Sequence, residues 1–125
     1  MEERALRTRP CPDLSMALSA TTDAYLYPER ESAAWDRFRR SVRLTRYGAD
    51  AYAYAMVAMG KLDIVIERGL KCWDVEAAVP LLAGAGGIVT NWTGKPIGDR
   101  GGQMLVVGDP SLLAQVTPLL IDSAD

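Results

Sequence analysis

Histidine is absent from the 125 residues. Serine or cysteine nucleophiles activated by imidazole, and metal centres built on imidazole, are therefore excluded within the chain. Chemistry here must rest on carboxylates, hydroxyls and hard cations such as magnesium, which take oxygen ligands. Cysteine is scarce: Cys11 and Cys72 fit no metal-binding spacing and read as reduced thiols. A long apolar run is also missing, because charges or glycines interrupt each one short of a membrane span. Met1-Glu2-Glu3-Arg4 lacks the basic start and apolar centre of a signal peptide. The expectation is a cytoplasmic protein with no membrane partner. Net charge is only -2, and the densest basic cluster is Arg37, Arg39, Arg40, Arg43 and Arg46. No interleaved aromatic pattern supports a nucleic-acid groove, so it reads as a solvated helix face and no nucleic-acid partner is expected.

What is present suffices for one domain with a modest core, since 49% of the residues are hydrophobic. The chain is organised around residues 62–90. Leu62, Ile64 and Ile66 alternate with Asp63, Val65 and Glu67 in the period of a strand. Gly69 ends that strand, and Cys72-Trp73-Asp74 leads into a helix over 75–85 closed by Gly86-Gly87. A second strand follows over 88–92. Pro80 predicts a kink in a continuous helix. Ligands of α/β sheets collect at the carboxyl ends of strands and the amino ends of helices. Glu67 and Asp74 occupy those two positions, so both carboxylates are expected in one crevice.

The remaining elements follow in order. Residues 1–12 read as an extended lead-in with no core of their own, and 14–22 as a strand. Its polar end, Ser19, Thr21 and Thr22, either faces a ligand or marks a strand-to-loop transition. Pro28 starts a helix over 29–42 that buries Ala34, Trp35, Phe38 and Val42. An extended piece over 43–47 precedes a helix over 49–59. Asp50 in its first turn is either a cap favoured by the helix dipole or a third carboxylate at the crevice. A turn-rich stretch over 91–102 leads to a buried strand over 103–107. Asp109 and Pro110 then cap and open a helix over 111–121. The class is α/β, a layered sheet with helices. Taken alone, these residues describe a site for a divalent cation and an anionic ligand, or a structural aspartate cap.

The run Gly48-Ala49-Asp50-Ala51-Tyr52, with Ile66-Glu67, Cys72-Trp73-Asp74-Val75 and Gly86-Gly87, resembles the carboxyl-terminal half of the inositol monophosphatase family. Leu44-Thr45-Arg46-Tyr47-Gly48, the Ala-Tyr-Ala-Tyr-Ala-Met run over 51–56, Leu70-Lys71 and residues 18–22 are similar to its bacterial histidinol-phosphatase branch. Cys72-Trp73 instead follows the inositol phosphatases, where that branch has Pro-Tyr. The resemblance implies the carboxyl-terminal α/β part of the sugar-phosphatase fold and magnesium-dependent hydrolysis of a phosphate monoester. It implies histidinol phosphate, in histidine biosynthesis, as the substrate, with inositol 1-phosphate or a related sugar phosphate as the alternative. On this pattern Asp74 is a catalytic metal ligand that also orients substrate, and Glu67 binds the alcohol part. Gly48, Ala49 and Asp50 contact substrate, with Asp50 pairing with the amino group of histidinol phosphate. Asp63, at the start of the strand, is structural.

The family's Glu-Glu pair and D-P-x-D-G-T motif have no counterpart, since Asp109-Pro110 is followed by Ser111-Leu112-Leu113. One aspartate cannot hold a magnesium cluster. The expectation is a truncated, single carboxyl-terminal domain that is inactive alone. The partners expected are a second copy in a homodimer or the missing amino-terminal half, which the phosphatase reading needs; the alternative is a non-catalytic remnant or partner module that keeps the fold.

Overall fold

The computed structural model describes residues 5–98 and 101–125. The signal-peptide reading of residues 1–4 and positions 99–100 of the turn-rich stretch lie outside them. Among the described residues one five-stranded sheet forms, built from β1 (Leu18–Thr21), β2 (Leu44–Tyr47), β3 (Ile64–Leu70), β4 (Ile88–Thr90) and β5 (Gly102–Val107). Their spatial order is β2-β1-β3-β5-β4. The first three run parallel, and β5 is antiparallel to both β3 and β4.

The helices α1 (Glu29–Ser41), α2 (Tyr52–Ala58), α3 (Cys72–Ala85) and α4 (Leu113–Leu120) cover both faces of this sheet. On one face Trp35 and Phe38 of α1 and Val116 and Leu120 of α4 pack against Ile64, Ile66, Leu105 and Val107. On the other, Tyr54 and Val57 of α2 and Val75 and Leu82 of α3 pack against Ala20, Val65, Met104 and Val106. Two covered faces explain why β3 is buried continuously from Ile64 to Glu67 instead of alternating.

Local chemistry sets the helix ends. Glu29 and Glu31 lie in the first turn of α1 and Arg39 and Arg40 in its last, the arrangement the helix dipole favours. Asp36 pairs with Arg39 at 2.5 Å and Arg40 at 3.1 Å, so much of the arginine cluster is a helix face in water. α3 runs unbroken through Pro80 and stops at Gly86, whose φ of +97° is left-handed. Gly87 follows because a Cβ there would lie 2.8 Å from the Val107 carbonyl oxygen.

Several expected boundaries move. The strand expected over 14–22 is confined to Leu18–Thr21, because Asp13 accepts the Ser15 N–H and folds Leu14–Met16 into a 3-10 turn. β3 begins at Ile64 and continues past Gly69 to Leu70; a positive φ lets the glycine carry a bulge instead of ending the strand. α3 begins at Cys72, a turn earlier than the apolar pattern suggests, and β4 ends at Thr90. Asp109 does cap the last helical segment, which opens as a 3-10 turn before α4. The lead-in is not independent of the core: Cys11 is buried in it, and the Thr8 N–H donates to the Ala85 carbonyl. No helix among the described residues is long and apolar enough to cross a membrane.

Candidate active site

The carboxyl end of β3 and the amino end of α3 meet because only Lys71 separates them. Glu67 leaves β3 just before its bulge, and Asp74 sits in the first turn of α3. One pocket of about 320 Å³ is lined by both, together with Thr22, Asp50, Ala51, Tyr54, Arg68 and Leu70. Gly101 helps to keep this end of the sheet closed, since a Cβ there would come within 2.2 Å of the Leu70 carbonyl oxygen.

Glu67 is 6% exposed, and its Oε1 accepts a hydrogen bond from the Thr22 hydroxyl at 2.7 Å. Burial raises its pKa to about 7; Thr22 opposes the rise, and the Asp50 and Asp74 charges add to it. Burial also raises the Tyr54 hydroxyl, with the Glu67, Asp74 and Asp50 charges acting in the same direction. The Oδ2 atom of Asp74 accepts the Lys71 N–H at 3.0 Å, which fixes the carboxylate against the helix start.

A raised carboxyl pKa has a stability consequence with a definite sign. The neutral form is favoured in the folded chain, so Glu67's contribution is fully present below the ordinary glutamate value. It is lost as pH rises through about 7. At about 1.4 kcal/mol per pH unit, the contribution lost is on the order of 3 kcal/mol. Urea unfolding of the wild-type chain is expected to show stability falling between about pH 4.5 and 7, a slope Glu67→Gln removes. The glutamine amide oxygen would still accept from Thr22, so the variant is expected to be the more stable chain at neutral pH.

The structure separates the expected site residues into two groups. Asp50, Glu67 and Asp74 line the one pocket. Gly48 and Ala49 do not; both line a separate pocket of about 470 Å³ with Arg46, Tyr47, Tyr52 and Met56, while Gly48 also lines a third, of about 690 Å³, that includes Thr22 and Asp50. Asp50 is not a cap. It precedes the first residue of α2 by two positions and has a φ of +47°, the one positive φ at a non-glycine among the described residues. Aspartate tolerates that left-handed geometry better than most side chains, at some cost in backbone strain. Of the three polar residues near the end of β1, Ser19 bonds to Leu44 and Thr45, and Thr21 to Tyr27. Only Thr22 reaches the pocket. Tyr54 was missed because the helical face expected there ran through Tyr52, Ala53, Met56 and Val57; the face that is buried instead carries Ala53, Tyr54, Val57 and Ala58, and Tyr52 is exposed.

Among the described residues no group of three or more Asp, Glu, Cys or His side chains is placed to hold a metal ion. Asp74 gives one carboxylate, with an oxygen already bonded to the Lys71 N–H, and the Glu67 oxygen facing Thr22 is likewise taken. The residues present do not make up a magnesium site.

A sequence model of the inositol monophosphatase family matches residues 1–121. The chain belongs to that family. Bifunctional phosphatase IMPL2, chloroplastic, from Arabidopsis thaliana is 49% identical over 90 residues, which are 72% of this chain and 26% of that protein. A histidinol-phosphatase of Chlorobaculum parvum is 27% identical over 75 residues, 60% of this chain and 29% of that protein. The solved structure of an inositol monophosphatase from Zymomonas mobilis superposes with a TM-score of 0.87 at 36% identity. It covers 91% of this chain and 46% of that one. The chain thus spans less than half the length of these proteins, and its α/β fold is that of the inositol monophosphatase structures.

Proposed function

We propose that this chain carries the alcohol-recognising side of a magnesium-dependent phosphate monoesterase, with histidinol phosphate as the substrate. The supporting observation is the convergence of Asp50, Glu67 and Asp74 with Thr22 on one pocket, in a chain of the inositol monophosphatase family. Three carboxylates suit an alcohol bearing a cationic amine, and Asp50 at the pocket's rim is the group assigned to that amine. Glu67 takes the hydroxyl-bearing part. Its pKa near 7 lets it offer either an acceptor or a donor to that part at neutral pH. Asp74 is the one carboxylate assigned to metal and phosphate, and its donor set must be completed by residues outside this chain. The second reading is an inositol phosphate, favoured by Cys72-Trp73 and by the likeness to the Zymomonas mobilis structure.

The test is phosphate release with magnesium, from histidinol phosphate and from inositol 1-phosphate. It is run on the chain alone and on a full-length family protein carrying this segment. No turnover is expected from the chain alone, and turnover there would mean that the metal-binding carboxylates have been misassigned. In the full-length protein Asp50→Ala is expected to lower kcat/KM for histidinol phosphate about tenfold or more, the loss of one charge-assisted contact. Inositol 1-phosphate should change little. Equal losses on both substrates would remove the histidinol assignment.

A further inference from the structure

Glu67 and Arg68 are neighbours on β3, and a strand sends neighbours to opposite sides of its sheet. Glu67 faces the side of α2 and α3, where the pocket is. Arg68 also lines the pocket, but its guanidinium is held from the side of α1, where its Nε donates to Oε2 of Glu31 at 2.7 Å. Glu31 lies in the first turn of α1 and is 2% exposed. Its Oε1 accepts from Gln103 Nε2 at 3.1 Å and from Arg30 at 3.3 Å. A carboxylate this deeply buried is tolerated only with several such donors.

Gln103 carries the grip further. It follows Gly102, the residue that pairs with Leu70 across the β3 bulge. Its Nε2 also donates to the Ser123 carbonyl at 2.8 Å, and its Oε1 accepts the Asp125 N–H at 2.9 Å. The Ser123 hydroxyl in turn donates to the Arg30 carbonyl at 2.8 Å. The start of α1, the end of β3 and the start of β5 thus meet at one buried carboxylate, and residues 123–125 join them through Gln103 and Arg30.

We infer that Glu31 is a positioning residue for the candidate site: through Arg68 and Gln103 it holds the bulged end of β3 from the face opposite the pocket, and so sets where Glu67 meets Thr22. Its functional meaning rests on the reading of Glu67 as the alcohol-binding group. The geometry is testable without turnover, so absence of phosphatase activity in a full-length protein would leave a positive result standing.

The experiment follows the Glu67 side-chain carboxyl by carbon-13 NMR across a pH titration of the full chain, in Glu31→Gln and in Arg68→Met. Glu31→Gln leaves every residue lining the pocket unchanged, and Arg68→Met changes one of them, Arg68 itself, while Thr22, Asp50, Tyr54 and Asp74 stay as they are. If the grip positions Glu67, loosening it admits water and both variants lower the titration midpoint, by about one pH unit or more. Arg68→Lys keeps a cation for Glu31 and should stay near wild type. Asp63→Asn, at the other end of β3, should lower Tm without moving the midpoint. Direct electrostatics alone would move the two variants in opposite directions, because one loses a cation and the other an anion. Opposite shifts, or no shift in either variant, would overturn the inference. If Glu31→Gln does not fold, Arg68→Met decides, since that side chain is one-third exposed and its removal leaves no large cavity.

Discussion

Asp74→Asn in a full-length family protein carrying this segment is expected to lower kcat by about three orders of magnitude, the rate equivalent of about 4 kcal/mol. The same change should barely affect folding. Asparagine has the size of aspartate and keeps an oxygen that can accept the Lys71 N–H, so the first turn of α3 retains its bond. What it loses is the negative charge. At a helix start that charge contributes only about 0.3–1 kcal/mol to stability. Opposite a divalent cation and a phosphate ester, the same charge is worth far more. Steady-state kinetics and a melting curve on one preparation separate the two roles. Lost turnover with an unchanged Tm assigns Asp74 to the chemistry. Retained turnover would leave it as a helix-start residue.

The convergence of Glu67 and Asp74 was legible because it follows from connectivity. A strand, one intervening residue and a helix leave little freedom for where the two carboxylates go, and the pattern of residues 62–90 shows that order. The Gly86-Gly87 stop and the burial of Trp35 and Phe38 were legible for a similar reason, each being settled by local chemistry or helical spacing. Asp50 was harder. Its place just before a helix suggests a cap, whereas a left-handed backbone carries its side chain to the pocket instead. The bulge at Gly69 was also hidden, since glycine after an apolar strand reads as a stop and its pairing partner, Gly102, is remote in sequence. Long-range polar pairs escape sequence reading altogether. Nothing near Glu31 in the chain announces Arg68 or Gln103, and nothing in the lead-in announces Asp63.

That last pair carries the largest expected stability effect. Asp63 is 1% exposed at the start of β3, and its carboxylate accepts from Arg9 Nε at 2.8 Å, Arg9 Nη2 at 2.7 Å and the Leu18 N–H at 2.8 Å. It thereby joins the lead-in, β1 and β3 at one point, while the backbone of Asp63 pairs with Leu18 and Gly108. Arg9→Met is expected to destabilise the chain by about 3–5 kcal/mol, because it leaves a buried carboxylate with the Leu18 N–H as its remaining donor. Asp63→Ala should be milder, since Arg9 is over one-third exposed and can turn to water, leaving the Leu18 N–H to bear most of the loss. The double variant is then expected to be less destabilised than the two single losses summed, a coupling that chemical denaturation measures directly. Additive losses would mean that the fork-on-carboxylate geometry contributes nothing. In that case the lead-in would be held by the Thr8 and Cys11 backbone bonds, the Gln115 bond to the Pro12 carbonyl and the burial of Cys11. A large coupling would place a second polar clamp on β3 at the end opposite Glu31, so that the strand presenting Glu67 is fixed at both ends by charges its own sequence neighbourhood does not supply.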